Sequence, residues 1–292
     1  MLPSSDVSFG TQFAAPGSAV LAVFIWGTSD FSGGFASKRG NAFVVTTFSH
    51  ICAFALMLAI TLPQHAAFPA RTSILWALAA GSIGGFALAI FYRALAAGQM
   101  GLTAPIAALL GAAIPTLADI GMEGAPSRWM VSGFALAIIS IWLITRPERS
   151  EEHDPPGHPK GVAMAALAGV GFAGFYLCIH QAHGSPTWLA TISRLGSFMV
   201  TSIAVLVTRP QLALPRTSIR FAAIAGCLDI TGTVLFIFAS QHGRLDEAVV
   251  ITSLYPAFTV VLARIVLKEH FSRWKLVGLL AALAAVPLIS AG

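Results

Sequence analysis

Charge is what this sequence lacks most. Only 10% of its 292 residues are Asp, Glu, Lys or Arg, where a soluble globular chain carries about a quarter. With 56% apolar residues and a mean hydropathy of +0.80, the chain has too few polar side chains to cover a water-facing surface. That excludes a soluble enzyme. The 17 basic residues exceed the 12 acidic ones, giving a formal charge of +5, but they lie in short hydrophilic breaks rather than in one patch. That excludes a nucleic-acid binder and makes the basic residues markers of membrane orientation. Cysteine is scarce as well: Cys52, Cys178 and Cys227 each stand alone inside apolar runs, a pattern that spells neither a metal site nor a disulfide framework. There is no Walker-type Gly-Lys-Ser, no Gly-x-Ser-x-Gly elbow and no His-Glu-x-x-His. No cofactor and no metal are expected.

Long apolar runs are what is present. A membrane helix needs about 20 mostly apolar residues, and ten stretches qualify: 14–36, 42–62, 72–94, 101–120, 129–145, 161–182, 187–207, 219–241, 247–266 and 274–290. The first follows residues with no Lys or Arg and precedes Lys38 and Arg39, so it reads as a retained helix rather than a cleaved leader. The longest polar stretch, RPERSEEHDPPGHPKG from residue 146, falls at mid-chain, and its His153 and His158 read as solvated. Trp76, Trp129 and Trp274 stand at span edges, as interfacial anchors do.

The chain also repeats itself. At an offset of 145 residues, Arg71-Thr72-Ser73-Ile74 lies over Arg216-Thr217-Ser218-Ile219, and Ser127-Arg128-Trp129 over Ser272-Arg273-Trp274. Gly81 meets Gly226 in the same register, and Gly98 meets Gly243. Five spans per copy is an odd number, so the second copy enters the membrane from the opposite side. The expected fold is therefore an all-α integral membrane protein, with ten transmembrane helices in two inverted five-helix repeats around a central cavity. The repeats are 1–145 and 161–292, joined by a polar linker at 146–160. Such symmetry belongs to secondary transporters, whose substrate site lies near the midplane between the halves and whose gates exchange by rocking.

Several pieces of sequence resemble the drug/metabolite transporter superfamily, and within it the EamA-type exporters. Ile25-Trp26-Gly27 matches the Trp-Gly pair of that group's first helix, and Tyr92-Arg93-Ala94-Leu95 its aromatic-x-Ala-Leu. Leu254-Tyr255-Pro256 followed by Leu267-Lys268-Glu269 matches the ninth helix, and Val277-Gly278-Leu279-Leu280 the last. The first half carries a looser version with Pro115, Glu123 and Gly133. The resemblance spans the chain and implies an exporter of small metabolites in a bacterial inner membrane. Aromatic amino-acid exporters of the YddG type are similar in length and topology. The implied partners are a small-molecule substrate, the bilayer and, if transport is coupled, protons; the implied working unit is a monomer.

Ionisable side chains inside spans face a cavity or a partner. Asp30, His50, Asp119, His180, Arg194 and Asp229 are of this kind. Asp30 follows Trp26 by four residues and shares its helical face. Ser193-Arg194 can be laid over Ser49-His50 at an offset of 144 residues, one short of the repeat register. Arg194 either binds a substrate carboxylate in bidentate fashion or serves as a structural partner for an acidic residue. Asp229 pairs with Arg194 or with a substrate ammonium. Asp119, near a helix end, reads as reaching the interface. Trp26, Tyr92, Tyr176 and Tyr255 combine an apolar face with a polar tip on the helices expected to line the cavity. Pro105, Pro115 and Pro256 mark kinks that suit either bending gates or static bends. The candidate substrate site is thus Trp26, Asp30, His50, Tyr92, Tyr176, Arg194, Asp229 and Tyr255. The expected activity is export of amino acids, aromatic ones included. A carrier for another metabolite or drug class, and an intramembrane or lipid-processing enzyme using Asp30, Asp229 or His180, are the competing readings.

Orientation follows from the charges. Breaks after odd-numbered spans, with their flanking ends, hold Lys38, Arg39, Arg93, Arg146, Arg149, Lys160, Arg209, Arg216, Arg220, Arg264, Lys268, Arg273 and Lys275; the other breaks hold only Arg71, Arg128 and Arg244. The positive-inside rule places the richer set in the cytoplasm and both termini outside, whereas many relatives in the superfamily keep theirs inside. A fluorescent reporter that matures only in the cytoplasm, fused to Gly292, should leave cells dark; bright cells contradict this orientation.

Overall fold

The computed structural model describes residues 14–96, 100–124, 126–144, 159–267 and 273–290. Among these residues the regular structure is helical throughout: α1 (Ala14–Ser37), α2 (Ala42–Thr61, extended by a 3-10 turn at Leu62–Gln64), α3 (Arg71–Ala96), α4 (Met100–Glu123), α5 (Arg128–Ile144) and α6 (Pro159–His180), then α7 (Pro186–Thr208), α8 (Arg216–His242), α9 (Leu245–Thr252), α10 (Tyr255–Leu267) and α11 (Arg273–Ser290). Six of the helices, α1, α2, α3, α6, α7 and α8, are long and apolar enough to cross a membrane. Their outward surfaces are aliphatic, as lipid requires: Leu206 and Val207 of α7 are 73% and 76% exposed. Trp76, Trp129 and Trp274 are exposed near helix starts.

Local chemistry sets the ends. The Asn41 side chain accepts the Phe43 N–H at 3.0 Å and opens α2. Pro159 and Pro186 open α6 and α7, where a missing N–H leaves no bond unmade. Arg209, at φ 44, closes α7 by donating its N–H to the Val205 carbonyl.

One predicted element differs. The apolar stretch 247–266 reads as a single helix, yet the structure divides it into α9 and α10. Pro256 has no N–H to give the Thr252 carbonyl and its ring crowds that oxygen, so the α9 ladder stops there. Tight turns bridge the gap: the Leu254 N–H reaches the Ile251 carbonyl at 3.2 Å, and the Ala257 N–H the Leu254 carbonyl at 3.0 Å. Pro115, by contrast, is buried inside an unbroken α4, which also spans Pro105. The two halves therefore do not share a break. Residues 146–158 of the expected linker, with His153 and His158, and the Lys268-Glu269 pair lie outside the described residues.

The helices pack in a reciprocal pattern. α1 lies on α8 and α6 on α3; α3 lies on α7 and α8 on α2; α4 lies on α6, while α9 and α10 lie on α1. α2 also meets α7, and α5 meets α11. Small residues permit the closest crossings, because packing in a membrane rests on backbone approach and polar contacts. A Cβ on Gly81 would overlap the Ser193 carbonyl, and one on Gly226 would overlap the Ser49 carbonyl. Hydroxyls tie the same crossings: Ser197 Oγ donates to the Gly81 carbonyl and Ser49 Oγ to the Ala222 carbonyl, each at 2.8 Å.

Gly81→Ala and Gly226→Ala should each force these helix pairs apart and lower stability by about 1–3 kcal/mol or more. Gly17, where an added methyl would meet no atom within 4 Å, should tolerate alanine without loss. Thermal unfolding in detergent measures all three, and equal midpoints for the three variants contradict the packing account.

Candidate functional site

A central cavity opens between six helices. Helical spacing explains who lines it, since residues three or four apart share a face. α1 supplies Trp26 and Asp30, α3 Gly84 and Leu88, α6 Phe172, Phe175 and Tyr176, α7 Arg194 and Ser197, α8 Asp229 and Thr233, and α10 Tyr255. The lining is the mixture of rings with a few polar groups that small-molecule sites use.

The polar groups are arranged around Arg194, which is 5% exposed. Its Nη1 donates to Asp229 Oδ2 at 2.5 Å and lies 3.3 Å from His50 Nδ1. Its Nη2 donates to Thr233 Oγ1 at 2.8 Å. Thr233 in turn donates to the Asp229 carbonyl at 2.9 Å, and the Trp26 indole N–H reaches that same carbonyl at 3.1 Å. An acceptor at His50 Nδ1 places the neutral ring's proton on Nε2. α2, α7 and α8 are thereby tied through one guanidinium, with Trp26 of α1 bound to the same turn of α8. The Arg194 Nε, also buried, has no partner.

Asp30 differs from Asp229. It lines the cavity at 7% exposure, and among the described residues nothing donates a hydrogen bond to it or pairs with it. The cavity thus holds two carboxyl groups and one guanidinium, and the guanidinium is committed to one of them. Around these groups the rings form a box. Trp26 stands 6.2 Å from Tyr176 and 5.7 Å from Phe236, and meets Tyr255 edge-on at 6.4 Å and 81°.

Six of the residues singled out in the sequence meet here: Trp26, Asp30, Tyr176, Arg194, Asp229 and Tyr255. His50 is fully buried behind Arg194 and outside the lining. Tyr92 is also fully buried, its ring set against Gly33 of α1, and it does not line the cavity. Gly84, Leu88, Phe172, Phe175, Ser197 and Thr233 complete the lining without having been singled out as site residues. Spacing was the available signal, because Phe172 precedes Tyr176 by four residues and Thr233 follows Asp229 by four. Asp119, expected at the interface, is instead buried and accepts the Asp246 N–H at 2.9 Å at the start of α9. Asp246 itself holds Arg244 through both carboxylate oxygens at 3.0 Å. Among the described residues no cluster of three metal-ligating side chains occurs.

Comparison with known proteins bears on this arrangement. One solved structure, described only as "Crystal structure of protein", superposes with a TM-score of 0.73 at 14% identity, covering 96% of each chain. That likeness establishes a shared fold. No curated protein matches the sequence. Residues 159–291 match the EamA-like transporter family. The second half of this chain is accordingly an EamA-like transporter domain, and the protein is a multi-pass membrane transporter of small molecules.

Proposed function

We propose that the protein is a secondary transporter that exports amino acids, aromatic ones included, across a bacterial inner membrane by alternating access. In this reading ten transmembrane helices form two inverted repeats, 1–145 and 161–292, joined by the linker 146–160. The α9–α10 pair counts as one span.

The repeat reading draws support from the packing. Exchanging each helix with its counterpart five spans on turns the α1–α8 contact into α6–α3, and the α3–α7 contact into α8–α2. It also turns the α4–α6 contact into that of α9 and α10 with α1. The α2–α7 and α5–α11 pairs exchange with themselves. Individual residues follow the same rule. Gly81 abuts Ser193 while Gly226 abuts Ser49, and Gly171 abuts Ala87 where Gly232 abuts Trp26. His50 and Arg194, aligned at an offset of 144 residues, meet each other as residues near a shared axis would. Opposed halves with a cavity between them are what rocking requires.

The observation that carries the substrate assignment is the unmatched Asp30 carboxyl beside the ring box. A buried carboxylate without a partner is costly. A substrate ammonium would neutralise it, and a proton would do so when the site is empty. Trp26, Tyr176 and Tyr255 would pack on an aromatic side chain, and the free Arg194 Nε–H would be left to donate to a carboxylate oxygen. The Asp229 carboxylate is spoken for by Arg194, so Asp30 takes the ammonium role and the candidate proton-coupling role. The single-chain cavity is complete, which suits a monomer.

Uptake into proteoliposomes from a panel of amino acids, nucleotides and sugars, with and without a pH gradient, tests the assignment. Saturable uptake of an aromatic amino acid is expected, with loss of tenfold or more in Asp30→Asn, about the value of one charge-assisted contact. Movement of nucleotides or sugars with inert amino acids contradicts it.

A further inference from the structure

A second pocket lies away from the central cavity, at the end of the bundle where Lys38 and Arg39 stand. It offers about 480 Å³ between the end of α1, the start of α2 and the ends of α3 and α7. Ser37, Asn41, Arg93 and Thr208 are the polar residues of its lining. Among the described residues no Asp or Glu occurs in the lining.

Three kinds of donor converge on this space. The first turn of the 20-residue α2 presents N–H groups that have no partner inside the helix, and the Asn41 side chain takes only that of Phe43. The exposed Arg93 makes no ion pair or hydrogen bond among the described residues, not even to the carbonyls that end its own helix. Ser37 is the independent indicator. It is 6% exposed, and its Oγ is among the buried oxygens without any hydrogen-bond partner. Most helical hydroxyls in this chain bond the preceding turn, as Ser32 does with the Thr28 carbonyl and Thr46 with the Ala42 carbonyl, at 2.8 and 2.7 Å; Thr116 and Ser218 share the lack of a partner with Ser37, but neither lines this pocket. Ser37 makes no such bond, although its hydroxyl is free to rotate.

A helix N-terminus, a guanidinium and a lone hydroxyl approaching from separate elements suit a tetrahedral oxyanion better than a flat carboxylate. We infer that this pocket is a phosphate-group site, distinct from the transport cavity and held by Arg93, Ser37 and the first turn of α2. At a membrane surface the phosphate belongs either to an anionic lipid headgroup or to a soluble phosphate. The chemistry of recognition is the same for both.

Two arms separate the sources, each using the full chain. In the first, protein is reconstituted with an equal mixture of phosphatidylglycerol and phosphatidylcholine, re-extracted, and its retained lipid counted by native mass spectrometry. Wild type should retain phosphatidylglycerol over phosphatidylcholine by about tenfold, the worth of one charge-assisted contact. Arg93→Gln and Ser37→Ala should bring that ratio close to one. Arg220→Gln, which removes an exposed charge at the same end outside the pocket, should leave it unchanged. In the second arm, inorganic phosphate replaces chloride at constant ionic strength in phosphatidylcholine nanodiscs. A raised unfolding midpoint in wild type but not in Arg93→Gln assigns the site to soluble phosphate. The inference is overturned if neither probe distinguishes wild type from Arg93→Gln, or if Arg220→Gln abolishes the lipid preference as fully. Arg93 is exposed, so its variant decides the matter should Ser37→Ala unfold.

Discussion

A guanidinium at the centre of a membrane protein has to be answered by the chain around it. Leaving such a charge unmatched in hydrocarbon costs at least about 2.5–3.5 kcal/mol. Here the answer to Arg194 is the Asp229 carboxylate, the Thr233 hydroxyl and the His50 ring, drawn from α8 and α2. Meeting that demand brings α2, α7 and α8 within hydrogen-bonding reach of each other. Glycine at position 226 allows the α8 and α2 backbones to come so near, as Gly81 does where α3 crosses α7. The same pairing decides what the cavity has left to offer. With Asp229 committed, the remaining acid is Asp30, which has no partner of its own.

The aromatic lining does the complementary work. Trp26 is fixed twice, by its indole N–H on the Asp229 carbonyl and by close approach to Gly232. Tyr176, Phe175 and Phe236 support one another at centroid distances of 4.7–6.3 Å. The site walls are therefore preorganised by rings and by one ion pair, while Tyr255 enters from the helix start that follows the α9 break. At the far end of α9, Asp119 receives the Asp246 N–H and Arg244 is clamped by Asp246. Position and polarity make this cluster a tie between α4 and α9.

Much of this was legible in the sequence because membranes leave few choices. Apolar length marked the helices to within a few residues, and rare intramembrane charges marked the cavity. Trp26 and Asp30, spaced by four, already implied one shared face. What stayed hidden depended on side-chain partners rather than on type. Arg194 read equally well as a substrate ligand or a structural counter-ion, and only the distances to Asp229, Thr233 and His50 assign its two terminal nitrogens. Tyr92 looked like a lining residue because its helix was right, but its face turns to Gly33. The α9 break needed Pro256 to be placed in the first turn of a new helix rather than in a bent one. Phe172 and Thr233 carried no charge or unusual chemistry, so nothing but helical spacing could have selected them.

Asp30 is, in this mechanism, the charge that the ligand meets, with Arg194 already matched. Calorimetric titration of the purified protein with an aromatic amino acid, its decarboxylated amine and its deaminated acid tests this directly. The amine should retain most of the affinity, the deaminated acid should bind at least about tenfold more weakly, and Asp30→Asn should remove the difference between them. A deaminated acid that binds as tightly as the amine, or a preference that survives Asp30→Asn, would contradict it.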